Sequence, residues 1–135
     1  MTRPFNNMDR KIEKKLDQLW SEYIRKRAMT EAHGCQRCKS YKQHWRELQA
    51  HHCFSRNHRT TRFDVRAGVG LCGGCHRYVQ SHDDANMILF RDLIGSDDLQ
   101  RLYVLTNLTS RQAPVDPKMV EIYLKHLIKN LDGRT

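Results

Sequence analysis

The sequence predicts an α+β domain with a small metal-pinned centre of short strands and turns, flanked by an N-terminal helix and C-terminal helices. Three observations predict it. Apolar residues recur at helical spacing near both ends of the chain, that periodicity disappears between residues 33 and 71, and two Cys-x-x-Cys pairs bracket the gap. A length of 135 residues suits a single domain, 1–135. It divides into a basic helix over about 1–30, a core over 31–90 and helices over 91–135.

Ile12, Leu16, Leu19, Trp20, Tyr23 and Ile24 are spaced by threes and fours, which predicts an amphipathic helix from about Asp9 to Lys26. Arg25-Lys26-Arg27 would end it, where cations oppose the negative end of the helix dipole. From His33 to Leu71 the Gly, Asn, Cys and His content predicts short strands, turns and a metal-pinned loop. Ala85–Ile94 reads as a helix stopped by Gly95, and Ser96 can cap the next, which carries Leu99, Leu102, Tyr103 and Leu105. Asp116-Pro117 is an N-cap followed by proline at the first helical position. The last helix takes its stripe from Val120, Tyr123, Leu124, Leu127, Ile128 and Leu131. These stripes read as core, as do Trp20 and Trp45.

Cys35-Gln36-Arg37-Cys38 and Cys72-Gly73-Gly74-Cys75 stand 33 residues apart. Two residues between cysteines let both sulfurs face one ion across a tight turn, so two such knuckles predict a four-thiolate structural Zn²⁺ site. Gly73 and Gly74 suit a turn that needs positive φ. Redox Cys-x-x-Cys motifs usually occur singly, beside a βαβ pattern that this chain lacks. A closed four-thiolate site has no open position, so its metal would hold the fold without catalysing. His33 lies near enough to Cys35 to be an alternative ligand, and Cys53, the odd cysteine, reads as a packed thiol. His44 and His126 read as surface residues.

The charge is uneven. The whole chain is +9, and residues 31–82 contribute +6 of this together with all five cysteines and seven of the eight histidines. Positive charge around metal-ligand residue types suggests a polyanionic partner, nucleic acid first, against the plainer reading of a solvated basic surface. Arg56, Arg59, Arg62 and Arg66 form a candidate DNA-backbone grip, because guanidinium forks match phosphate oxygens; Arg10, Lys11, Lys14 and Lys15 would extend it. No apolar run reaches the roughly 18–20 residues of a membrane helix. The first seven residues carry no apolar leader, and a cytoplasmic location is expected.

Between the knuckles lies Leu48-Gln49-Ala50-His51-His52-Cys53-Phe54-Ser55-Arg56, and His76, Gln80 and His82 follow the second. The order Cys-x-x-Cys, His-His, basic loop, Leu-Cys-x-x-Cys-His resembles the HNH endonucleases, with a ββα-metal core in a treble-clef-like cysteine frame. Over about residues 33–90 it looks most like phage recombination nucleases of the NinG type. The resemblance implies metal-dependent hydrolysis of double-stranded or branched DNA in a bacterial host cell, with phage or prophage origin. It makes His52 the general base. His51 and His76 become ligands of a catalytic Mg²⁺, Mn²⁺ or similar cation, with Gln80, or His82 instead, as the third. Symmetric cutting of a four-way junction would require a homodimer.

The residues support such chemistry in their own right. Adjacent histidines on a strand face opposite ways, so one could ligate a metal while the other, at a strand end, addresses a water. A neutral imidazole can take a proton near neutral pH. Two positions depart from the family pattern: its bracing asparagine is here Ala67, and its second helix histidine is Gln80. These departures favour the alternative of a catalytically weak or inactive zinc-containing nucleic-acid-binding module.

Overall fold

The computed structural model describes residues 8–133; the expectation that the first seven residues carry no apolar leader falls outside them. Helix α1 runs Arg10–Ala32, with the Asp9 side chain accepting from the Lys11 amide. It buries Leu16, Trp20, Ile24 and Ala28, one residue per turn on a single face. The helix continues past the expected end near Lys26 and stops at His33, which adopts a left-handed conformation (φ 53°). Apolar spacing alone could not show this extension, because the buried stripe ends at Ala28 and the last turn closes through the His33 amide donating to the Met29 carbonyl.

Strands β1 (Gln49–His52) and β2 (Gly68–Leu71) pair antiparallel, His51 opposite Val69 and His52 opposite Gly68. Helix α2 (Gly73–Gln80) follows directly, then α3 (Asp83–Ile94), α4 (Ser96–Thr106) and α5 (Pro117–Asp132). The three C-terminal helices match the sequence reading, including the Gly95 stop (φ 88°) and the Asp116 cap on the Lys118 and Met119 amides. Helix α2 begins a turn earlier than His76. Gly73 and Gly74 are therefore its first residues and do not take positive φ; in the first knuckle Lys39 does (φ 65°). None of the helices is long and apolar enough to cross a membrane.

Two apolar clusters hold the sheet. One gathers Leu16, Trp20 and Ile24 of α1 with Phe63 and Leu124, the other joins Val69, Leu71 and Val79 to Phe90, Leu89 and Leu102. The two strand glycines let α1 approach closely. A Cβ on Gly68 would stand 2.5 Å from the Trp20 ring, and one on Gly70 would stand 2.6 Å from the Ala28 Cβ. Gly70→Ala should therefore destabilise the fold by about 1–3 kcal/mol, the usual cost of overpacking. Urea denaturation would measure it, and a double-mutant cycle with Ala28→Gly should recover part of the loss. Full additivity in that cycle would refute the contact as the cause.

Candidate functional site

The cysteine frame is assembled from both knuckles. A tetrahedral zinc with bonds of about 2.3 Å sets its sulfurs about 3.8 Å apart. Here the four Sγ atoms lie within 4.8 Å of one another, with Cys38 and Cys72 at 3.8 Å. Within each knuckle a backbone amide donates back to the first sulfur, Cys38 N to Cys35 Sγ at 3.5 Å and Cys75 N to Cys72 Sγ at 3.4 Å. Arg37 donates to Cys75 Sγ at 3.5 Å, and its positive charge offsets thiolate charge. The Ser40 hydroxyl beside Cys38 lowers that thiol to about 6, toward the ionised form a metal requires. The cluster could hold a zinc ion. Cys53 is buried away from it, its thiol pushed up to about 12 by desolvation, in keeping with a packed side chain. His33 caps α1 and stays outside the cluster.

On the other side of β1 from α1, His51 turns toward α2 and α3. Its ring lies 5.1 Å from that of His76 and 6.1 Å from that of Phe90, centroid to centroid. His51 Nε2 donates to Asn86 Oδ1 at 2.8 Å, and Asn86 Nδ2 donates to the Cys53 carbonyl at 3.0 Å. His76 Nδ1 donates to Gln49 Oε1 at 2.5 Å. His52 turns to α1, where its ring stacks on Trp20 at 4.0 Å and 12°, and Nε2 donates to the Arg62 carbonyl at 3.2 Å. Each imidazole thus spends one nitrogen on an oxygen acceptor. The tautomer follows: lone pairs remain on His51 Nδ1, His52 Nδ1 and His76 Nε2.

Burial disfavours the charged form of these rings. It lowers His52 to about 4 against a smaller upward pull from the Arg62 carbonyl, and it also lowers His51 and His76. All three line a cleft of about 1200 Å³ whose other wall is α1, with Asp17, Ser21 and Arg25, and whose floor includes Gln80 and Asn86.

Asn86 is the residue that sequence reasoning missed. It is 8% exposed and sits on α3, 35 residues from His51. The segment between the strands is braced by groups scattered over the fold. Asn86 holds Cys53, Trp20 Nε1 donates to the Asp64 carbonyl, and Arg27 donates to the carbonyls of Val65 and Gly68. Ala67, at the position of the family's asparagine, is buried, and its carbonyl accepts from Cys53 N at 2.7 Å. A buried asparagine joining a strand end to a helix has no local signature.

Gln80 lies four residues after His76 and lines the same cleft. His82 does not: it stacks on Tyr78 at 4.0 Å and its Nδ1 bonds the Tyr78 carbonyl, beyond the end of α2. His82 thus lies apart from the cleft that His51, His76 and Gln80 line, because the helix ends at Gln80. Gln80→His should tighten Mn²⁺ or Ni²⁺ binding at the His51–His76 pair about tenfold, imidazole being the better ligand for these ions. Calorimetric titration of zinc-loaded protein would read this. His82→Ala should leave the affinity unchanged, and a loss there would overturn the assignment.

The arginine grip is largely committed inside the molecule. Arg62 pairs with Asp17 at 2.7 Å, Arg59 with Glu13 at 3.1 Å, and Arg66 with Asp64 at 2.8 Å and Asp98 at 3.4 Å. Carboxylates as far away in sequence as Glu13 is from Arg59 pair with these cations, so Arg59, Arg62 and Arg66 clamp the inter-strand segment. Arg56 is exposed at the cleft with no carboxylate in ion-pair range among the described residues. Along α1, Lys15 pairs with Glu121 while Lys14 lines the cleft. Trp45, expected in the core, is half-buried under three cations.

Compared with protein-family models, curated proteins and solved structures, the chain matches none.

Proposed function

We propose that this protein is a metal-dependent endonuclease of the HNH, ββα-metal type, hydrolysing DNA phosphodiester bonds in recombination, repair or DNA processing. The observation that carries the reading is the orientation of three neutral imidazoles, each with one nitrogen anchored and one left free, around a single cleft. His51 and His76, with the Gln80 carbonyl oxygen, would hold the catalytic cation. When bound, such a cation neutralises a phosphate oxygen and the developing charge on the leaving oxygen. The stack on Trp20 fixes the plane of His52, and the Arg62 carbonyl fixes its tautomer, so Nδ1 is the atom that takes a proton from the attacking water. A cytoplasmic enzyme of phage or prophage origin, acting on duplex or branched DNA, fits this reading, and a homodimer fits if junctions are cut symmetrically.

One observation favours the second reading, a zinc-containing nucleic-acid-binding module without turnover. Among the described residues, only the four cysteines gather three or more Cys, His, Asp or Glu ligand atoms. The site at His51 and His76 thus depends on an amide oxygen or water to complete it. The test is cleavage of supercoiled plasmid and of duplex, flap, single-stranded and four-way-junction DNA with Mg²⁺, Mn²⁺ or Ni²⁺. Metal-dependent scission of any substrate supports the enzyme. Binding without scission under all three ions supports the module.

A further inference from the structure

With three of the four candidate arginines neutralised, the cleft needs another source of positive charge if a polyanion is to cross it. That source lies on α1 and the turn before β1. The Arg25 guanidinium sits 4.6 Å from the centre of the Trp45 ring and the Arg46 guanidinium 4.4 Å. Both belong to one cluster, and neither has a carboxylate in ion-pair range among the described residues. Arg25 Nε donates to the Ser21 carbonyl at 3.1 Å, and Arg46 Nη1 meets His44 Nε2 at 3.2 Å. Lys26, the third cation near the ring, is already paired with Glu22 and Asp132 at 2.9 Å. Arg25 and Trp45 line the same cleft as His51, His52 and His76.

We infer that the Arg25–Trp45–Arg46 cluster is a phosphate-backbone site that lays a nucleic-acid strand across the three histidines, a step resting on the nucleic-acid reading above. A guanidinium over an indole uses its π face and keeps its in-plane N–H donors for a further partner. Phosphate oxygens match that fork. Two like charges near one ring repel each other, and a bound phosphate relieves the repulsion. Burial lowers the basicity of Arg25, with Glu22 opposing the shift and Arg46 adding a smaller push in the same direction as burial. Trp45 here is a platform for cations, which explains why it is not packed in the core.

The test is fluorescence anisotropy of a labelled DNA duplex titrated with the full chain over a series of salt concentrations. The double variant R25Q/R46Q should bind at least tenfold more weakly at low salt and lose about two units of the log–log salt slope, one per phosphate contact. R46Q alone, on an exposed turn where folding is not at stake, should lose about one. K118Q/K129Q, which removes the same charge from α5 away from the cleft, should keep the parental slope. An unchanged slope in R25Q/R46Q and R46Q, an equal loss in K118Q/K129Q, or a parental protein that does not bind the duplex would each overturn the site. Cleavage by the parental protein is scored separately. Its absence would sink the nuclease reading and leave the anisotropy result intact.

Discussion

Replacing Cys72 with serine should release about one zinc per chain and melt the centre of the molecule, the larger of the two effects expected here. Cys72 is both a sulfur of the cluster and the N-cap of α2, accepting from the Cys75 amide. Losing it would unpin the turn that carries His76 and separate the two knuckles. Cys35 and Cys75 are themselves buried in the apolar cluster with Leu71, Val79 and Phe90, so the metal frame and the core are one structure. Structural zinc contributes on the order of 10 kcal/mol in small domains, comparable with the whole net stability of an ordinary one. Elemental analysis paired with a circular-dichroism melt would measure both quantities. Protein purified without zinc, yet melting at the parental temperature, would refute the assignment.

The second large effect is on chemistry. His52→Ala should lower the cleavage rate by about 10²–10⁴-fold, the range associated with a general base. DNA affinity should stay within about twofold, because in the proposed role the imidazole addresses water, while its anchored nitrogen bonds a backbone carbonyl. The variant also removes the partner stacked on Trp20, so its melting temperature should be recorded beside the kinetics. A variant that binds like the parent and cuts at the parental rate would show that another group takes the proton. Loss of binding together with cutting would show that His52 organises the cleft instead.

The helices were legible because a 3.6-residue stripe is a local property. Leu16, Trp20 and Ile24, and later Leu124, Ile128 and Leu131, are buried as their spacing predicts. The end of α1 was not legible, since Met29-Thr30-Glu31-Ala32 has no stripe and the helix ends only where His33 turns left-handed. The pairing of the basic segment was not legible for a related reason. Arg59, Arg62 and Arg66 look like free cations in a one-dimensional charge count, but Glu13, Asp17 and Asp98 come from distant helices to pair with them. Gly68 and Gly70 did leave a signal, two glycines on one face of a strand, which marks a close approach of another element.

The sequence by itself determined the α+β class, the two knuckles and the pair of adjacent histidines, because each depends on residues close together in the chain. Two residues between cysteines bring their sulfurs to one ion, and adjacent strand positions face opposite ways in any fold. Tertiary structure alone decided which nitrogen of each histidine stays free, which cations remain unpaired and which residue braces His51. Those outcomes rest on partners 10 to 45 residues apart, Asn86 for His51, the Arg62 carbonyl for His52, and Asp17 for Arg62. A hydrogen bond or ion pair exists only at a few ångströms, and packing of helices on the sheet, not spacing along the chain, creates that proximity.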